Sequence, residues 1–317
     1  MYYDRRVPGP LLDLLLPDAP LGWLIPWLST GPAAAAGAHV QTRRDRQGRR
    51  HGAIQLYLGR TSPLEVRGRP NGRHSLHADV SYRTMSPRLF AGDLDASGLA
   101  LLADPLRQHA ERAAAETHRS FLDGEAVVHA GLMRHHGPLS PSAAPFLALD
   151  SEARMGFDSQ ADQVAFEATL PAVVGLPAAE AVPRKLDLVA VDHDGRLLLV
   201  EVKADPTGLT RAAWQAAVHV ARFRALLAQH PAWFSEVLGD LAREKARVGL
   251  LGQAPMVDFS RLPTLTPVIA APDPREGWSA AWRSEIGSVL QTSGGLLAGL
   301  RLWRLSPQGH VVEDTLA

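Results

Sequence analysis

The segment KLDLVAVDHDGRLLLVEVK, residues 185–203, constrains this chain more than any other. Two β-rich runs flank Asp194-Gly195, a hairpin turn signal. A three-residue loop of His193, Asp194 and a left-handed Gly195 makes the numbers of opposing residues sum to 388. Asp192 then faces Arg196, Val191 faces Leu197 and Asp187 faces Glu201. Opposing residues share a face with Cβ atoms about 4.5–5.5 Å apart. Lys203, two residues beyond Glu201, lies on that face as well. A two-residue loop would set Asp187 opposite Val202 and put the two acids on different faces.

Two carboxylates and an ammonium are therefore expected at the far end of an otherwise apolar hairpin. At about 4 Å, two like charges repel by roughly 1 kcal/mol in water and about 4 kcal/mol when partly buried. A lysine offsets this as a plain strand-end ion pair. A divalent cation offsets it more strongly, and carboxylate oxygens are its natural ligands. The next helix, expected over 210–230 with Thr210 as cap, carries Arg211, Gln215, His219 and Arg222 as one polar stripe. Trp214, Val218, Ala221 and Ala225 form the adjoining apolar stripe. The polar stripe has no acid, although Lys+Arg and Asp+Glu are both 33 in the whole chain. That departs from an ordinary solvated face. Upstream, Glu167 sits on a helix expected over 158–175.

The surrounding order is helix, hairpin, helix, strand (265–271), helix and strand (300–306), which reads as α/β with a mixed sheet. Before it, AIQLYLG (53–59) and SLHADVSYR (75–83) alternate like strands, and a helix is expected over 97–121 with Pro105 near its start. GPLSPSAAP (137–145) is the best linker candidate. The expected domains are thus 1–140, an N-terminal α+β domain for substrate or partner recognition, and 150–317. Residues 43–88 hold eleven Arg against Asp45, Glu65 and Asp79, a stretch able to contact nucleic-acid backbone, beginning with Arg43 and Arg44. The bland alternative is an Arg-rich surface.

The arrangement of Asp187, thirteen intervening residues and then Glu201-Val202-Lys203 resembles the PD-(D/E)XK nuclease superfamily. Pro183 lies four residues before the Asp. Gln215 and His219 are similar to the Q-x-x-x-Y element of its RecB-like and Cas4-like branch, with His in place of Tyr. Glu167 matches the acid that many members carry on the first core helix. The resemblance covers residues 158–306, about half of the chain. It implies a restriction-endonuclease-like mixed β-sheet core flanked by helices. It also implies hydrolysis of phosphodiester bonds with Mg²⁺ or Mn²⁺, of DNA in preference to RNA. Asp187, Glu201, the Val202 carbonyl and Glu167 would then be metal ligands. Lys203 and Gln215 would act on the water and the scissile phosphate, and Arg211, His219 and Arg222 would touch backbone phosphates; the alternative for His219 is a half-buried packing histidine, and for Glu167 a plain surface glutamate. The alternatives are a non-catalytic nucleic-acid-binding or assembly module on the same fold, and a structural α/β protein with an ion triad.

The zero net charge excludes bulk attraction to nucleic acid or anionic membrane. The lack of cysteine excludes disulfides, thiolate metal sites and a cysteine nucleophile, and fits a cytoplasmic location. Residues 19–42 are uncharged, but Pro20, Pro26 and Pro32 argue against a membrane span. No P-loop or G-x-S-x-G element is present. A homodimer or a larger complex is left open.

Overall fold

The computed structural model describes residues 1–29, 31–44, 52–59, 61–116, 124–136, 146–175, 182–204, 208–251, 258–272, 280–306 and 309–316. The chain divides into two compact units. One comprises Asp4–Ala143 and Asp240–Ala254; the other comprises Met1–Tyr3, Ala144–Gly239 and Pro255–Ala317. The linker expected at 137–145 lies outside the described residues.

The unit built mainly from the N-terminal part starts with short helices α1 (Gly9–Leu12), α2 (Leu24–Leu28) and α3 (Gly31–Ala35). They bury Leu11, Leu12, Leu24, Leu28 and Ala33 from the uncharged stretch and its approach. Among the described residues, no helix is long and apolar enough to cross a membrane. Strands β1 (His39–Arg44), β2 (Gly52–Leu58), β3 (Thr61–Gly68), β4 (His74–His77) and β5 (Asp93–Leu94) form an antiparallel meander. Val40, Ile54, Leu56, Leu64, Val66 and Leu76 alternate onto its core face. Helices α4 (Val80–Arg83), α5 (Ala96–Leu101), α6 (Ala103–Glu116) and α7 (Glu125–His136) follow.

Two expectations are corrected here. The strand expected over 75–83 ends at His77, and Val80–Arg83 is helical. Asp79 is spent on this turn: its carboxylate accepts the Ser62 N–H at 2.6 Å and its carbonyl accepts those of Tyr82 and Arg83. The helix expected over 97–121 is two helices broken at Leu102, with Pro105 in the first turn of α6. A further helix, α10 (Gly239–Arg247), lay in the expected second domain, yet from Asp240 it belongs to this unit. There the Lys245 ammonium is buried and donates to Gln41 at 3.3 Å.

The second unit holds β6 (Phe146–Ala153), α8 (Gln160–Val174), β7 (Leu186–Asp192), β8 (Leu197–Val202), α9 (Leu209–Gln229), β9 (Leu265–Pro272), α11 (Ala280–Thr292), β10 (Arg301–Leu305) and β11 (Val311–Leu316). Its six strands lie in chain order. β6, β7 and β8 are antiparallel neighbours; β8, β9 and β10 are parallel; β11 returns antiparallel. The mixed α/β character read from the sequence is present. Helix α9 packs on β8 and β9, with α8 and α11 beside it. It starts at Leu209, so Thr210 lies in its first turn rather than capping it.

The sheet is strongly curled. Phe146 on β6 and Trp303 on β10 stack with ring centroids 4.7 Å apart. A flat sheet would hold those strands about 19 Å apart, at roughly 4.8 Å per strand. Ala148, Ala190 and Ala270 keep the inner face narrow enough for this closure, and all are buried.

Candidate active site

The hairpin has the expected register. Leu188 pairs with Val200, Val189 with Leu199, Ala190 with Leu198 and Val191 with Leu197, each summing to 388. Gly195 takes φ 73°. Asp192 locks the loop: its Oδ1 accepts the N–H groups of Asp194 (3.0 Å) and Arg196 (2.9 Å), and its Oδ2 accepts Arg196 Nε at 2.7 Å.

At the other end the ladder stops at Leu188–Val200. Beyond it the Asp187 carboxylate, rather than a backbone carbonyl, accepts the Val202 N–H at 2.8 Å. The Asp187 and Glu201 side chains hydrogen-bond to each other. Lys203 Nζ lies 3.6 Å from Glu201 Oε2. All three residues are buried, Glu201 to 2% exposure. The three converge on one buried site.

Burial, and then the charge of Asp187, hold the Glu201 carboxyl well above its ordinary range; Lys203 opposes this only in part. His219 meets Glu201 from α9, its Nε2 being 3.2 Å from Oε1. Its ring also hydrogen-bonds to the Lys185 carbonyl. Burial, then the charges of Arg222 and Lys203, push its pKa down to about 3, so the ring is neutral. Two buried oxygens here, Glu201 Oε1 and Gln215 Oε1, have no hydrogen-bond donor among the described residues. Gly208 packs on the lysine stem: a Cβ there would stand 3.1 Å from Lys203 Cδ.

The remaining sequence candidates sit differently. Glu167 is spent on Arg222 (3.3 Å) and Gln163 (2.9 Å). Arg222, expected at a phosphate, is buried and also donates to the Pro183 carbonyl. Burial lowers its pKa to about 10, against the favourable charge of Glu167. His219 is likewise buried and neutral. The α9 stripe therefore turns inward, and Arg211 alone of its four residues is exposed. Arg43 lies over the Tyr57 ring at 5.2 Å in the other unit; the side chain of Arg44 lies outside the described residues.

The sequence reading missed β6. Its pairs Ser151–Leu188 and Ala153–Leu186 bracket Glu152 opposite Asp187. Glu152 is buried and paired with Lys185. The signal was the two-residue spacing of Asp150 and Glu152 behind the apolar run FLAL.

Among the described residues, no three His, Asp or Glu side chains are gathered as a ready metal cage. The set is two adjoining carboxylates, one of them holding the Val202 N–H. Hard oxygen donors of this kind suit Mg²⁺ or Mn²⁺, which bind through one or two carboxylates and keep several waters. The unpartnered Glu201 Oε1 is consistent with that fit. A cavity of about 220 Å³ lies instead at the turn end of the hairpin, lined by Phe146, Asp192, Arg196, Leu198, Arg301 and Trp303. It is roughly 17 Å along the strand from Asp187.

Comparison with family models, with curated proteins and with solved structures gives no match.

Proposed function

We propose that this protein is a divalent-cation-dependent nuclease that hydrolyses phosphodiester bonds, of DNA in preference to RNA. The observation that carries this reading is the convergence of Asp187, Glu201 and Lys203 at one buried strand end. The chain order of β6, β7 and β8, then α9 and the parallel β9, supports a restriction-endonuclease-like core.

Asp187, Glu201 and the Val202 carbonyl would hold Mg²⁺ or Mn²⁺. When bound, such an ion lowers the pKa of water and neutralises charge growing on phosphate. The chain's own groups do the rest. Lys203 presents an ammonium, held in place by Glu201 and Gly208, to charge developing in the transition state. Gln215 offers an uncommitted amide oxygen to orient water. Arg222 and Glu167 brace α9 against α8 rather than touching substrate.

A non-catalytic nucleic-acid-binding module is the second reading. It is favoured by the lack of a three-ligand cage among the described residues and by the hold of His219 on Glu201. Purified protein incubated with circular DNA, linear DNA and RNA, with Mn²⁺ or with EDTA, separates the two. Cleavage that needs Mn²⁺ and drops by about two orders or more in Lys203→Met supports the nuclease. Salt-sensitive binding without cleavage supports the module.

A further inference from the structure

We propose that Glu152 is the third carboxylate of this cation site, held away from it by Lys185 until a divalent cation enters. The inference rests on the nuclease reading and adds a ligand and a resting-state restraint to it.

Strand register is the first support. The pairs Ser151–Leu188 and Ala153–Leu186 bracket Glu152 opposite Asp187, and the β7–β8 register continued one step past Leu188–Val200 sets Asp187 opposite Glu201, so three acids fall in one row across adjacent strands. Like charges directly opposite one another destabilise a sheet. Without a cation, a third carboxylate in that row must be neutralised or turned aside. The structure shows it neutralised: Glu152 is bound to Lys185, two residues before Asp187. The backbone at Glu152 is also exceptional. It is the only non-glycine among the described residues with positive φ, 53°. That conformation costs about 1–2 kcal/mol. A return of residue 152 to extended φ would re-aim its side chain along the row.

The second support is the pair of oxygens left without donors in this region. Glu201 Oε1 is buried within a residue 2% exposed, and Gln215 Oε1 is buried one helical turn before His219. Buried acceptors without partners are rare and call for a ligand. A dication satisfies such oxygens. Glu167, by contrast, is committed to Arg222 and Gln163. Lys185 is 38% exposed at its side chain, so on releasing Glu152 its ammonium can be solvated.

The test is equilibrium binding of Mn²⁺ to the full-length purified protein without nucleic acid. Glu152→Gln is expected to weaken binding by about tenfold or more. Lys185→Met is expected to tighten it several-fold, because the restraint is gone, and to have no effect in the Glu152→Gln background. If Asp187→Ala abolishes binding while Glu152→Gln changes it less than twofold, the cation site stands and the third ligand falls. If the wild-type chain does not bind Mn²⁺, both fall. Should circular dichroism show Glu152→Gln unfolded, Lys185→Met decides: unchanged or weaker binding overturns the proposal.

Discussion

His219 Nε2 lies 3.2 Å from Glu201 Oε1, and neither atom has a hydrogen-bond partner of good geometry among the described residues. The ring is neutral and its other nitrogen serves the Lys185 carbonyl, so Nε2 presents a lone pair. A carboxylate there would oppose lone pair to lone pair. Burial and the charge of Asp187 act in the same direction, and the Glu201 pKa is raised well above its ordinary value.

A pH dependence follows from that shift. A folded-state pKa above the unfolded value gives stability that is complete below the unfolded pKa, near 4.5, and is lost as pH rises through the folded value. His219, lowered from 6.5 to about 3, contributes the opposite slope, with stability lost as pH falls below 6.5. In EDTA, Glu201→Gln should match the wild type near pH 4.5 and exceed it at pH 8 in urea midpoint. Parallel curves across that range would refute the raised pKa of Glu201.

Arg222 is 2% exposed and faces Glu167. Removing the carboxylate leaves a buried guanidinium that still donates to the Pro183 carbonyl. Because the Glu167 side chain is 21% exposed, the cost in Glu167→Gln should be about 2–3 kcal/mol, at the low end for a broken buried pair. Urea unfolding measures it. A change under about 0.5 kcal/mol, the range of ordinary surface substitutions, would mean that the pair does not brace the fold.

Gly195 has φ 73°, and a Cβ there meets nothing closer than Asp258 O at 3.8 Å. Space is available, so Gly195→Ala isolates the left-handed penalty of about 1–2 kcal/mol. Gly195→Asn should lose less, because Asn tolerates this conformation. Equal losses would show that the loop has changed type.

Gly208→Ala pushes a methyl to 3.1 Å from Lys203 Cδ. The lysine stem must shift by a few tenths of an ångström. Cleavage should fall several-fold, to at most about tenfold, with the urea midpoint little changed, since placement near reacting groups matters at this scale. Undiminished cleavage would show that the lysine tolerates the shift.

The hairpin was legible because its turn chemistry is local: Asp194-Gly195 sets the register, and register sets which acids meet. Helix α9 was legible from its periodicity and from Pro231 after it. The inward turn of its polar stripe was not, because burial depends on the sheet and on α8. Strand β3 escaped notice because Pro63 argues against a strand; it falls at the register shift between Leu56–Leu64 and Leu58–Thr61, where its missing N–H costs no ladder bond. The placement of α10 with the N-terminal unit depends on contacts such as Lys245 with Gln41, far apart in sequence. Glu152 was missed for the same reason: nothing local tells that β6 lies beside β7.

The central claim is tested most directly by the rate of phosphodiester cleavage in linear DNA as a function of Mn²⁺ concentration, for wild type and for Asp187→Asn. The account predicts saturable, EDTA-abolished cleavage by the wild type and a rate lower by about two orders or more in the variant. Equal rates in the two proteins, or wild-type cleavage that persists in EDTA, would contradict it.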